Sequence, residues 1–260
     1  MATKIPPTYL ANKNPHPRDP FIEFDEGPHI YTVNGEGGYT SVTTFIHSLF
    51  SHFDADKIIA GMERSGKLKD PTNKYYGMTS DEIKALWAKN SASASGAGTQ
   101  LHYDVECYYN QMEVKNDSIE YQYFQNFLAD FPELKPYRTE WMVYYEEYKL
   151  SGSIDMIFEN PDGTLQIYDW KRCKEIQYEN YGKMAQTSSI RHIPDANFWH
   201  YSIQLNTYKT ILEHKYGKKV TGLYLVIIHP DNPLKNYERI EVPLLEKEIA
   251  DLLNHKKSTM

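Results

Sequence analysis

Asp155, Asp169 and Lys171 are the residues from which a chemistry can first be argued. They lie in the stretch K-L-S-G-S-I-D-M-I-F-E-N-P-D-G-T-L-Q-I-Y-D-W-K-R, residues 149–172. Each carboxylate sits in a β-prone run beside apolar neighbours. A buried unpaired charge is costly, so these groups must be paired with each other or bound to a cation. One reading is an Asp–Lys ion pair at a sheet edge, since a short Asp-x-Lys motif is common. The other is a Mg²⁺ site, with hard oxygen ligands from both aspartates and Lys171 near an attacking water.

The elements that would position these groups follow from turn signals and periodicity. Asn160-Pro161-Asp162-Gly163 is a turn, because Pro presets φ and Gly supplies φ > 0, so the two flanking runs read as a β-hairpin. Strand side chains alternate, which puts Leu165, Ile167, Asp169 and Lys171 on one face and Gln166, Tyr168 and Trp170 on the other. Asp155 lies at a similar distance from the turn on the first strand. Arg138 to Tyr148 reads as an aromatic strand feeding the hairpin, with Glu140 near its start. Upstream, Leu101, Val105 and Tyr108 or Tyr109 recur at helical spacing and place His102 and Glu106 on a common face. Alone, His102 reads as a satisfied core or surface histidine rather than as a ligand. Ser91 to Gly98, S-A-S-A-S-G-A-G, reads as a small, flexible lead-in that would let this helix approach another backbone closely. Asn197 to His214 is a helix on which Gln204 shares a face with His200 and Tyr208. Val220 to His229 is an apolar strand.

The rest of the chain is auxiliary to that core. Residues 1–20 are expected to form an extended arm, and 21–260 a single domain. Ile30 to Val33 and Tyr39 to Thr43 read as strands around a Gly-rich turn, with Thr40 or Ser41 capping a helix through Leu49. Helices are expected over Asp54–Met62, from Thr79-Ser80-Asp81-Glu82 onward, over Asp117–Phe131 and over Leu244–Asn254, with a strand over Tyr237–Val242. Residues 63–75 are a solvated loop or a basic segment touching phosphates. Arg172 to Ile193 mixes Arg172, Lys174, Lys183 and Arg191 with Tyr178 and Tyr181, as an ordinary polar loop or a single-strand groove does.

The totals narrow the classes. The net charge of -7 argues against a generally basic nucleic-acid coat. With 22 Tyr among 260 residues, a sizeable core is expected despite a mean hydropathy of -0.64. Only 2 Cys, Cys107 and Cys173, are present, too few for a disulfide framework, a four-Cys zinc site or an Fe–S cluster. Neither a signal-peptide core nor a membrane-length apolar run is seen, so an intracellular, non-secreted protein without membrane partners is expected. The absence of G-x-x-x-x-G-K-[ST] leaves no ATP site.

Taken in order, the polar positions are G-T-x-x-H (Gly98, Thr99, His102), Glu140, G-S-x-D (Gly152, Asp155), D-x-K (Asp169, Lys171) and Q-x-x-x-Y (Gln204, Tyr208). Five motifs in this order, each on a suitable element, resemble the PD-(D/E)XK nuclease superfamily, specifically its RecB-like branch, over roughly residues 95–230. The segment H-I-Y-T-V-N-G…T-S-V-T-T-F-I also resembles the mitochondrial genome maintenance exonucleases and their viral and phage relatives. The resemblance implies a restriction-endonuclease-like α/β fold, with a mixed central sheet flanked by helices and an N-terminal β-hairpin added. It implies a Mg²⁺- or Mn²⁺-dependent deoxyribonuclease with one or two ions, an exonuclease on single strands or DNA ends in replication, repair or recombination. A replication or recombination partner protein and a cytoplasmic, nuclear or viral-factory location go with that reading. The metal ligands it implies are His102, Asp155, Asp169 and the Trp170 carbonyl. Lys171 would orient the water, and Glu140 would stand behind the ligands or bind a second ion. Ser95, Thr99, Arg172, Gln204 and Tyr208 would face or brace the substrate strand. Asp155 follows Ile154 rather than Pro, a departure that Gly-x-x-Asp members share. The alternatives are an inactive DNA-binding member of the fold and an RNA-directed phosphodiesterase.

Overall fold

The computed structural model describes residues 7–260. They form two compact units: His52–Gln100, and a larger unit that runs up to Ser51 and resumes over Leu101–Met260. Helix α1 (Tyr9–Lys13) opens the larger unit. The part of the expected extended arm within residues 7–20 is therefore partly helical. Its Leu10 is buried, and the Leu10 N–H donates to the buried Asn110 Oδ1 at 2.9 Å. Asp19 fixes the rest of this segment. One carboxylate oxygen accepts from Trp141 Nε1 at 2.8 Å, and the other accepts from the His16 N–H at 2.9 Å and Arg138 at 2.8 Å. Arg138 is nearly fully buried, so removing its carboxylate partner Asp19 would strand a charge. Asp19→Ala is expected to cost about 3 kcal/mol in urea unfolding. A loss under half that would mean the segment is held by packing alone.

Strands β1 (Ile22–Asp25) and β2 (Ile30–Val33) form a separate antiparallel hairpin. Strand β3 is only Thr40–Ser41, shorter than the expected Tyr39–Thr43, because Ser41 turns the chain into helix α2 (Val42–His47). The Ser41 hydroxyl accepts from the Thr44 N–H at 3.0 Å, a side-chain cap that ends the strand where it starts the helix.

The smaller unit contains α3 (Ala55–Arg64) and most of α4 (Ser80–Tyr109), whose last residues belong to the larger unit. Asp54 caps α3 through the Lys57 N–H, and Thr79 and Glu82 form a reciprocal capping box at the start of α4. Trp87 packs edge-on to Phe53 and Tyr75 and donates to the Tyr75 hydroxyl. The lead-in expected over Ser91–Gly98 is instead continuous helix. Ala is the best helix former and Ser only mildly unfavourable, so helical flanks on both sides carry the stretch.

The larger unit continues through α5 (Ile119–Asp130), β4 (Lys135–Tyr145), β5 (Leu150–Glu159), β6 (Leu165–Lys171), α6 (Asn197–Lys215), β7 (Val220–Ile227), β8 (Glu238–Glu241) and α7 (Glu246–Ser258). Strands β4, β5 and β6 are antiparallel, β6 and β7 parallel through α6, and β8 antiparallel to β7. The sheet is therefore mixed, as expected. Its two faces bury different cores. Leu165 and Ile167 pack with α6 residues such as Ile211 on one face. On the other, Tyr168 and Trp170 pack with Phe124 and Phe127 of α5.

One detail of the pairing shapes the centre of the molecule. Strand β4 occupies one edge of β5 along its whole length. On the opposite edge, β3 pairs with Leu150 and Ser151, and β6 pairs with Met156 to Glu159. Between them, among the described residues, no strand lies beside residues 152–155 on that edge.

Candidate active site

The gap in the β5 ladder exposes backbone groups of β6 that would otherwise pair with β5. Buried N–H and C=O groups need partners, and side chains supply them here. The Trp170 N–H donates to Asp155 Oδ2 at 3.0 Å. Trp170 O lies 2.7 Å from His102 Nε2 and accepts its proton. The backbone of the residue between Asp169 and Lys171 thus locks both His102, from the end of α4, and Asp155, from β5. With Nε2 occupied, His102 Nδ1 faces the carboxylates, 3.5 Å from Asp155 and 3.8 Å from Glu140.

Glu140 reaches this cluster by a distorted backbone. Its neighbours Thr139 and Trp141 pair regularly with Met156 and Ile154, yet Glu140 itself has φ 41°. A non-glycine residue in this region is strained, and such strain collects at functional sites. Ser153 Oγ donates to the Glu140 carboxylate at 2.8 Å and fixes it. Glu140→Gly and Glu140→Ala lose the same carboxylate and differ in tolerance of φ > 0. The Gly variant is expected to be the more stable by about 1 kcal/mol in urea unfolding. Equal stabilities would show that the backbone relaxes once the carboxylate is gone.

Lys171 completes the row. Its Nζ lies 2.8 Å from Asp169 Oδ2 and 3.0 Å from Oδ1, and donates to Gln204 Oε1 at 3.3 Å. Tyr201 places its ring 4.8 Å beneath the ammonium. Gln204 also meets the Tyr208 hydroxyl. Tyr208 is buried, with its hydroxyl end against Gly152. Arg172 is held by Glu120 at 2.8 Å. Ser95 and Thr99 lie on α4 within the smaller unit, both exposed.

Burial dominates the electrostatics. It pushes the Asp169 carboxyl up to about 7, against the pull of Lys171 and with a further push from Asp155. Asp155 is likewise raised, chiefly by burial, with His102 opposing and Glu140 adding to it. Burial also raises Glu106 to about 7, helped by Glu140. For His102, burial opposes the charge, but Asp155 and Glu140 outweigh it and hold the imidazole up to about 9. Burial opposes the Lys171 charge too, and Asp169 and Asp155 more than offset it, so the ammonium keeps its proton. Such a cluster of carboxylates is under mutual repulsion that a cation would relieve.

The donor atoms fit one. His102, Glu140 and Asp155 offer ligand atoms all within 4.8 Å of one another. Asp169 Oδ2, though beside Lys171, is buried without a well-aligned hydrogen bond. Ser153, Glu106 and Tyr201 were not marked out as site residues by the motifs. Ser153 sits inside G-S-x-D, and Glu106 and Tyr201 follow from helical spacing to His102 and Gln204.

Residues 41–259 match the PD-(D/E)XK nuclease superfamily, and the chain belongs to it. Two solved structures are similar at low identity. One is SSO0001, with 14% identity and a TM-score of 0.34, covering 86% of this chain and 78% of its own. The other, described as a candidate exonuclease of Eubacterium rectale, has 13% identity and a TM-score of 0.39, covering 85% and 78%. No curated protein matches. Among the described residues no helix is long and apolar enough to cross a membrane.

Proposed function

We propose that the protein is a divalent-metal-dependent deoxyribonuclease, an exonuclease acting on single strands or DNA ends in replication, repair or recombination. One observation carries the reading most of the way. His102, Glu140 and Asp155 converge within 4.8 Å, while Lys171 stands fixed beside Asp169 on the neighbouring strand. His102, Glu140, Asp155, Asp169 and the Trp170 carbonyl would hold Mg²⁺ or Mn²⁺. The ion, when bound, supplies a Lewis acid for the charge that develops on the phosphate.

The chain's own groups do the rest. Lys171 stays protonated, so it donates a hydrogen bond rather than accepting a proton. It orients the attacking water and places positive charge beside the phosphorane oxygens. Gln204 and the Tyr201 ring keep the ammonium in place. Attack by water at phosphorus breaks one P–O bond, and the departing oxygen takes up a proton. Ser95, Thr99 and Arg172 remain candidates for contact with the strand.

The test is cleavage of a 5′-labelled single-stranded oligonucleotide with Mg²⁺, with EDTA, and by Asp169→Ala. Products that vanish in both controls support the nuclease. Circular single-stranded DNA that stays intact while the linear form is shortened supports the exonuclease. No cleavage of single strands, duplex DNA or RNA with either metal would leave a DNA-binding member of the family.

A further inference from the structure

Helix α2 stands between two hollows. Thr43, Ile46 and His47 line the one that Lys171 and Gln204 also line. Thr44, Phe45 and Ser48 line a second, of about 240 Å³, closed by Thr40, Thr187 and the end of α7 with His255, Lys256 and Thr259. Among the described residues no carboxylate lines this second hollow.

Lys256 is its charge. Several cations around the sheet are paired with an acid: Lys171 with Asp169, Arg172 with Glu120, Lys209 with Glu213 and Lys215 with Glu147. Among the described residues Lys256 has no ion pair. Its ammonium lies 3.5 Å from Thr40 Oγ1 and 5.4 Å from the centre of the Phe45 ring. Burial lowers its pKa with no acid nearby to raise it again. A cation partly withdrawn from water without a counter-charge favours an incoming anion.

The hydroxyls point the same way. Thr40 Oγ1 accepts from Lys256, and Thr44 Oγ1 accepts from Ser41 Oγ at 2.8 Å. Each therefore keeps its own proton to give. Ser48 and Thr259 spend theirs on backbone carbonyls. An ammonium and two free hydroxyl donors, with no acid in the lining, suit a phosphate group, whose oxygens only accept.

We propose that Thr40, Thr44 and Lys256 form a phosphate-binding site, occupied by a backbone phosphate of the substrate strand other than the scissile one. The assignment to the strand rests on the nuclease reading. The α2 helix separates this hollow from the one beside Lys171, so a strand crossing α2 would place different phosphates in each.

The probes are inorganic phosphate and a single-stranded oligonucleotide with Ca²⁺ in place of Mg²⁺, applied to the full chain. Phosphate is expected to raise the Tm of the wild type but not of Lys256→Gln or Thr44→Val, with Lys256→Arg restoring the rise. Lys256→Gln is expected to bind the oligonucleotide about tenfold more weakly. Its log–log salt slope should be shallower by about 0.7, one single-strand phosphate contact. Equal protection of wild type and Lys256→Gln by phosphate overturns the site, whatever the protein's activity. Protection lost in Lys256→Gln with unchanged oligonucleotide affinity and slope overturns the strand assignment and leaves a free-phosphate site. A wild type that binds no oligonucleotide overturns both the strand assignment and the nuclease reading, while the phosphate arm still decides the site.

Discussion

Asp155→Asn is expected to abolish cleavage and, in EDTA, to melt at a higher temperature than the wild type. The two effects share one cause. Asp155 is partly buried, beside Glu140 and near Asp169, and its carboxyl is raised above the usual range, so the folded chain disfavours its charge. A raised carboxyl pKa means that ionisation weakens the metal-free fold at pH values above the unfolded pKa. Asn keeps an oxygen to accept from the Trp170 N–H and carries no charge. A gain of about 1 kcal/mol would raise Tm by roughly 2–4 °C. Activity should fall at least about a thousandfold, since several kcal/mol of transition-state stabilisation are lost with the metal's seat. Mg²⁺ or Mn²⁺ should raise the wild-type Tm and leave the variant's unchanged. Differential scanning fluorimetry reads the melting shifts, and cleavage of the labelled oligonucleotide reads the activity. A variant that melts lower in EDTA would make Asp155 chiefly the ion-pair partner of His102.

Gly152→Ala is expected to be the most damaging substitution of a single methyl group. A Cβ at Gly152 would lie 2.6 Å from the Tyr208 hydroxyl, 2.9 Å from its Cε1 and 3.2 Å from its Cζ. Tyr208 is buried and its ring is rigid, so relief requires α6 to move away from β5. Overpacking of this kind costs about 1–3 kcal/mol. The same shift would carry Gln204 away from Lys171, so activity should drop by more than the stability loss explains. Tyr208→Phe in the Gly152→Ala background should recover only part of the stability, because the ring carbons still crowd the methyl. Full recovery would put the whole conflict at the hydroxyl. Urea unfolding and single-turnover cleavage of the wild type and the two variants decide the matter.

Much of this arrangement was legible in the chain. The turn at Asn160–Gly163 is there, and the alternation of β6 sends Ile167 and Trp170 to opposite cores as expected. The helices carrying His102 and Gln204 fall where their periodicity places them. What the chain does not display are relations between elements. Gly-x-x-Asp and Gln-x-x-x-Tyr look like separate motifs, but Gly152 is the space into which Tyr208 fits. The distortion at Glu140 has no local signal, since Thr139-Glu140-Trp141 reads as ordinary strand. The unpaired edge of β5 arises because β3 and β6, some 125 residues apart in the chain, share it. Ser91–Gly98 reads as flexible only when its small residues are weighed alone; the cooperativity of the turns on either side makes it helix.

Residues 10–19 of the larger unit have distant partners. Leu10 bonds to Asn110, Asn14 to Tyr137, Asp19 to Trp141, and His16 to Tyr216, which lies 200 residues further on. During synthesis this segment must therefore wait for Tyr216 to leave the ribosome before its docking is complete. At roughly 5–20 residues per second that is a delay of about 10–40 seconds. The waiting stretch exposes Leu10 meanwhile, so the nascent chain has a built-in interval in which a chaperone, rather than its own sheet, is the available partner.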